Sequence, residues 1–417
     1  MNYFSILILV ALSFAVIEML FDRHTKAQNQ IFTLSFISVS FLVCIKYYFG
    51  PDISQYVEYY ETLAPIKDII NGSYENKWNF EFGYNLFSAF LNHLNISYWG
   101  MTCIISILYL TPIYILFKQI DNYKCLALLA LVVFDYNLLL CQLRQCLATS
   151  MVLFACIAYQ KKHTNICLLL LLSSIFFHKS AIFALSILAI IILLSHTKID
   201  LRAYILLAVA FFVFLIFPFE NIITSTLEKF NFVPYHVIHS IRHHFSKSEI
   251  LQAIMPVYLA AIFIIAYYSD FNQKDSKWHW LTWGCVAIIV ILFQYYFFLN
   301  RLRSFFIPFV IIYTITICLK SSKNDKIPRQ LFTIIFIAYS LFHAHSLQVQ
   351  TNSMQSKINY PSTILQLSKT SHDEIRKKQL EEASIFWEED YKNKKNENDW
   401  YLTINIQWRK IRPSNRL

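Results

Sequence analysis

The chain has 417 residues, of which 56% are hydrophobic, 17% aromatic and only 15% charged, whereas an ordinary soluble domain carries about a quarter charged residues. A mean hydropathy of +0.44, with five glycines against thirty-seven phenylalanines, excludes a water-soluble fold: too little polar surface exists to cover that much apolar side chain. The net charge of +10 falls mainly in short loops between apolar runs, as membrane topology alone demands, so no nucleic-acid role is read from it.

Apolar runs recur at lengths near the ~20 residues that cross a hydrocarbon core. They predict spanning helices near 2–20, 31–49, 100–120, 124–140, 145–160, 164–178, 181–196, 201–217, 251–268, 279–298, 304–319 and 328–346. The first run has no basic stretch before it and no small-residue cleavage pattern, and reads as a retained helix rather than a signal peptide. Two connections, around Arg144 and around His178-Lys179, are so short that only their polar residues reveal the turns. The 82–96 segment is apolar but short, and follows a long polar loop. Fold class is therefore all-α: a polytopic bundle of about twelve transmembrane helices with one short re-entrant or interfacial segment. The nine cysteines lie in or at the ends of apolar runs without metal-ligand spacing, and read as small packing residues.

Lys and Arg collect on the cytoplasmic side of a membrane. One set of loops holds Arg23, Lys26, Lys118, Lys124, Lys161, Lys162, Lys198, Arg202, Lys274, Lys277 and the 320–329 cluster, with few acidic residues. That set is assigned to the cytoplasm, which puts the N-terminus outside provided that 82–96 does not cross. Asp52, Glu81, Arg144, His178, Lys179, Asn300, Arg301 and Arg303 then all fall at the outer mouth of the bundle. Any one of them also reads as an anchor at the interface. Together they point to an anion site, because guanidinium forks suit phosphate oxygens and a desolvated arginine in a tight turn needs a partner.

These residues carry a resemblance. Asp52 with Tyr56, Glu81-Phe82-Gly83-Tyr84, Arg144-Gln145 with Ala148, His178-Lys179-Ser180-Ala181, and Asn300-Arg301 before an aromatic helix resemble, in order and spacing, the EpsG family of bacterial polysaccharide polymerases over roughly 1–361. The Arg-Gln-x-x-Ala and His-Lys-Ser-Ala blocks are the specific parts. Phe82 stands where the family commonly has proline, and Phe305 or Phe306 where it usually has tyrosine; neither departure removes a charge. The 362–417 tail lies outside the resemblance.

The resemblance implies a GT-C-like multi-pass catalytic domain at 1–361 and a Wzy-type polymerase in the cytoplasmic (inner) membrane of a bacterium. It would join undecaprenyl-pyrophosphate-linked oligosaccharide repeat units on the outer face, making surface or exopolysaccharide such as O-antigen. Membrane lipids, a chain-length regulator and a flippase are the expected partners, and no cofactor is expected. A hydroxyl of one repeat attacks the anomeric carbon of another as pyrophosphate leaves, which calls for a base and for cations. Arg144, Arg301 and Arg303, helped by Lys179, are expected to hold the pyrophosphate. Asp52 or Glu81 is expected to orient or deprotonate the acceptor, with His178 as an alternative base; His178 also reads as a helix-start residue at the lipid boundary. Tyr56, Tyr84, Gln145, Arg242 and His243 are candidate substrate contacts.

The 218–250 loop holds His236, His239 and His243 at one-face helical spacing, but no carboxylate matches them. An amphipathic interfacial helix is preferred to a metal site there. Within the spans, Asp135 needs a partner and is expected to face the cavity with Tyr136 and Asn137. Glu18 is expected to reach the interface, and Lys46, Tyr47 and Tyr48 to anchor it. The soluble tail, 362–417, predicts a helix near 372–389 and a strand over 400–408. A glycan ligase would use nearly the same parts, whereas a lipid-linked oligosaccharide flippase would show internal repeats that are not found here.

Overall fold

The structure is a computed structural model that describes residues 3–20, 25–46, 53–74, 80–182, 184–185, 304–312 and 315. Every regular element among these residues is an α-helix. In chain order they are α1 (Tyr3–Leu20), α2 (Thr25–Cys44), α3 (Ile53–Glu61), α4 (Ile66–Ile70), α5 (Phe82–His93), α6 (Tyr98–Phe117), α7 (Lys124–Phe134), α8 (Tyr136–Leu140), α9 (Leu143–Gln160) and α10 (Thr164–Phe177). A further helix occupies 304–312, and helical residues resume at 181–182 and 184–185.

Lys26–Cys44 and Tyr98–Phe117 are long and apolar enough to cross a membrane; at 1.5 Å per residue the latter measures about 30 Å. Helix α6 starts where Ser97 accepts the Gly100 N–H at 3.2 Å, the usual serine N-cap. Buried Phe32 of α2 stacks on Tyr114 of α6, with ring centroids 5.5 Å apart. Helix α7 is the axis of this half. Residues 124 to 133 are buried on every side, as an all-round apolar helix must be, with α1 and α2 packed against it. Helix α9 lies between α6 and α10. The short α5 packs on α10, and α3 packs on α5 and α6.

Several expectations are corrected. The run expected as one helix over 124–140 is two helices, broken at Asp135 (φ −123°, ψ 25°). Asp135 is 2% exposed and accepts hydrogen bonds from the Tyr109 hydroxyl (2.8 Å) and the Ser304 hydroxyl (2.7 Å). It ties α6, the α7–α8 break and the 304–312 helix together rather than lining a cavity with Tyr136. Glu18 does not reach the interface: it is buried, and its two carboxylate oxygens accept the Lys124 and Cys125 backbone N–H groups at 2.8 Å each. Those orphan amides open α7, and a carboxylate at a helix N-terminus satisfies both hydrogen bonding and the dipole.

Lys46 is not an anchor at the interface. It is buried and donates from Nζ to the Leu139 carbonyl (2.6 Å) and the Ser106 hydroxyl (3.2 Å), filling a carbonyl that α8 is too short to satisfy. Finally, the long polar loop expected between the second helix and Glu81 contains α3 and α4. Lys124, expected in a cytoplasmic loop, is buried and hydrogen-bonds the Asn29 side chain through Nζ. The seven described cysteines are free. The predicted spans beyond residue 185 other than the 304–312 stretch, the 218–250 loop and the tail lie outside the described residues.

Removing the Glu18 carboxylate leaves two buried amides unsatisfied, each costing about 1–3 kcal/mol. Glu18→Ala is expected to lower the melting temperature of detergent-purified protein by several degrees and to reduce its abundance in membranes, with Glu18→Gln, which keeps one acceptor, intermediate. Equal melting of all three proteins would show that the cap contributes nothing.

Candidate active site

The site begins with a close approach of two backbones. A Cβ at Gly83 would sit 2.8 Å from the Phe176 carbonyl oxygen and 2.9 Å from its Cβ, so only glycine lets α5 lie this close to the end of α10. Contact continues where Phe87 meets Phe177 edge to face. Glu81, in an extended conformation before α5, is thereby carried to the turn that ends α10. There His178 leaves the helix (φ −157°, ψ 126°), and the Lys179 N–H donates to Glu81 Oε1 at 3.2 Å. The Ser180 N–H donates to His178 Nδ1 at 3.1 Å, the Ser180 hydroxyl lies 2.6 Å from the same nitrogen, and the Ala181 N–H returns to the His178 carbonyl.

Arg144 closes the site from the first turn of α9. Its Nη1 pairs with Glu81 Oε2 at 2.8 Å and its Nε donates to the Tyr56 hydroxyl at 3.1 Å. The guanidinium carbon stands 4.4 Å above the Phe80 ring, a cation–π distance. Tyr56 stacks on Phe80 (5.2 Å), and Tyr59 and Tyr84 wall the same ring edge-on. Asn85 fixes that floor by accepting from the Tyr59 hydroxyl (2.7 Å) and donating to the Phe80 carbonyl (3.1 Å). The Arg144 side chain is 25% exposed and that of Glu81 7%. Among the described residues, the hydrogen-bond partners of the guanidinium are Tyr56 at Nε and Glu81 at Nη1, and neither of them accepts from Nη2.

Burial alone would push the Glu81 carboxyl up. The Arg144 guanidinium and then His178 outweigh it, and hold the group below the usual carboxylate range. The carboxylate is thus charged and doubly engaged, which suits it to hold Arg144 rather than to take a proton.

The two alanines of the sequence blocks have a packing role. Ala148 on α9 and Ala181 after the His178 turn are fully buried in one cluster with Ala184, Val152, Phe305 and Phe306. Small side chains let membrane helices approach closely, and here they seat the 304–312 helix next to the elements carrying Arg144 and His178. Asp135 holds Ser304, the first described residue of that stretch.

A family model described as the EpsG family matches residues 29–362. The chain belongs to the EpsG family. Membership and apolar helices together make it a helical membrane protein of polysaccharide biosynthesis. No curated protein and no solved structure matches the chain.

Of the EpsG-type residues singled out in the sequence, the structure brings together Tyr56, Glu81, Arg144 and Lys179, the last through its backbone; the Lys179 side chain is exposed. His178 adjoins them closely enough to act electrostatically on Glu81. Tyr84 and Gln145 lie in the interior, at 0% and 2% exposure, beneath the site rather than at its opening. Asp52, Arg242, His243, Arg301 and Arg303 lie outside the described residues.

Sequence reasoning missed Phe80, Tyr59 and Asn85, and gave Ser180 of the His-Lys-Ser-Ala block no role of its own. A signal existed for the helix that carries Tyr59: Ile53, Tyr56, Val57 and Tyr60 recur at i, i+3, i+4 and i+7, the pattern of a one-faced helix.

Gly83→Ala is expected to displace α5, to cost about 1–3 kcal/mol from overpacking, and to impair polymer formation out of proportion to its loss from the membrane. A wild-type glycan ladder at wild-type abundance would separate the close approach from function. The pair also has a pH signature. Because the folded Glu81 carboxyl is depressed, its contribution is present above the ordinary value of 4.5 and is lost as pH falls through the lower folded value. Purified wild-type protein should therefore lose thermal stability on acidification below about 4.5 more steeply than Glu81→Gln; parallel profiles would contradict the pairing.

Proposed function

We propose that this EpsG-family chain is a Wzy-type polymerase that joins undecaprenyl-pyrophosphate-linked repeat units at the outer face of the bacterial cytoplasmic membrane. The observation that carries the reading is Arg144. Its position is fixed from three sides by Glu81, Tyr56 and Phe80, while among the described residues neither Glu81 nor Tyr56 accepts from Nη2. A half-buried guanidinium held this rigidly suits bidentate capture of a phosphate oxygen pair, because little side-chain freedom remains to be lost on binding.

In this reading Arg144, Lys179, Arg301 and Arg303 stabilise the departing undecaprenyl pyrophosphate, and Asp52 takes the proton of the acceptor hydroxyl. Glu81 fixes the guanidinium instead of acting as the base. An acceptor oxygen forms the new bond to the anomeric carbon, and the electron pair of the old bond leaves with the pyrophosphate. No metal or cofactor enters.

The test is the length distribution of surface glycan in a deletion strain complemented with wild type, Arg144→Ala or Arg144→Lys. Wild type should restore the ladder and Arg144→Ala should give single repeats on the final acceptor with the protein still in the membrane. Arg144→Lys should resemble Ala, since a lysine cannot hold Tyr56, Glu81 and a phosphate at once. Loss of all attached glycan in the deletion strain would indicate a ligase or flippase instead, and an unchanged ladder with Arg144→Ala would remove the arginine from the reaction.

A further inference from the structure

The end of the bundle opposite Arg144 carries a charge pattern of its own. Helix α9 has 18 residues and so measures about 27 Å at 1.5 Å per residue. Arg144 lies in its first turn, and Lys161 and Lys162 follow its last residue, Gln160. There α9 meets the end of α6, where Gln119 Nε2 donates to Gln160 Oε1 at 3.4 Å. Lys118, just before Gln119, and Lys161, just after Gln160, therefore flank one junction between two helices. Lys118, Lys161 and Lys162 are all exposed.

Lysines at helix ends commonly serve the helix, by complementing its dipole or its last carbonyls. Here backbone amides already meet three of the last four carbonyls of each helix. The Lys118, Gln119 and Ile120 N–H groups donate to the Tyr114, Leu116 and Phe117 carbonyls, and the Lys161, Lys162 and His163 N–H groups to those of Ile157, Tyr159 and Ala158. Among the described residues none of the three lysines forms an ion pair, and Asp121, the carboxylate nearest Lys118 in sequence, pairs with none of them.

The surroundings are those of a membrane boundary. Lys118 Nζ stands 5.8 Å from the centre of the Tyr114 ring, and Tyr159 is half exposed beside Gln160; aromatics next to cations mark the headgroup level. Along α6, Ile107 and Thr111 are exposed and Ile115 partly so, at i, i+4 and i+8. Lys118 continues that face three residues on. An acyl chain lying against the stripe would have its headgroup at Lys118.

We propose that Lys118, Lys161 and Lys162 form a headgroup site for an anionic glycerophospholipid of the cytoplasmic leaflet, with its acyl chains on the Ile107–Ile115 face of α6. Charge complementarity selects the occupant, since three ammonium groups face a phosphodiester. The excess of lysine puts this end of the bundle in that leaflet. The site is separated from Arg144 by the length of α9 and does not depend on the reaction that Arg144 serves.

The test is binding of phosphatidylglycerol or phosphatidylcholine to the full-length protein purified in a neutral detergent, read by native mass spectrometry. Glycerol 3-phosphate supplies the headgroup phosphate without the chains. Wild type should prefer phosphatidylglycerol by about a hundredfold, taking each lysine near the headgroup at roughly fivefold. The combined variant Lys118→Gln, Lys161→Gln and Lys162→Gln should bind the two lipids alike, whereas arginine at the same three positions should keep the preference. Lys67→Gln, which removes an exposed lysine of α4 at the other end of the bundle, should leave it unchanged.

Equal binding of both lipids by wild type overturns the proposal, as does a preference that survives the three glutamines. Glycerol 3-phosphate binding as tightly as phosphatidylglycerol would make this a site for free phosphate and overturn the lipid assignment. Should the combined variant fail to accumulate, the three single glutamine variants decide: each should lose about fivefold in preference, and no loss in any of them contradicts the site.

Discussion

An arginine at the mouth of a membrane bundle is unfavourable unless something holds it, and the geometry around Arg144 is a set of answers to that requirement. Coulomb attraction to Glu81 is strong where little water screens it, but desolvating both groups opposes the gain, so such a pair persists only when other contacts complete it. Tyr56 and Phe80 provide these contacts to the guanidinium, and the Lys179 amide provides one to the carboxylate. The elements that deliver them, α3, the start of α5 and the turn after α10, are then constrained in turn. Gly83 is required because α5 must touch α10 for the carboxylate to arrive.

The same economy runs through the interior. Glu18, Lys46 and Asp135 are each charged or polar, each almost wholly buried, and each bound to backbone or hydroxyl groups at a helix end or break. Every helix terminus within a bilayer has orphan groups that water cannot reach. Three side chains answer three of these vacancies, and doing so fixes which helices are neighbours, a specificity that uniform apolar packing against lipid does not supply.

That division explains what could be read from the sequence. Helices at 3–20, 98–117, 143–160 and 164–177 follow from apolar length, and the turns at Arg144 and His178 from the polar residues that interrupt it. The grouping of Glu81, Arg144 and the His178 turn followed from topology and the family blocks. Tertiary partners did not. Glu18 and Lys124 are 106 residues apart, and Lys46 meets a carbonyl 93 residues on; nothing local distinguishes such a residue from one that reaches toward the headgroups. The break at Asp135 was hidden in the same way, because the run around it is apolar enough for one helix. Helix α3 was overlooked because its polar face outweighed a correct apolar spacing.

Asp135 has a consequence for biogenesis. Its oxygens are met by Tyr109, made earlier, and by Ser304, made 169 residues later. At a synthesis rate of about 5–20 residues per second, the α7–α8 break spends seconds to tens of seconds in the translocation machinery or bilayer before Ser304 is made. The N-terminal helices can enter the membrane in order, but the packing of the α7–α8 break and of the Ala148–Ala181 cluster is completed only when the stretch at 304–312 arrives, late in the making of the molecule.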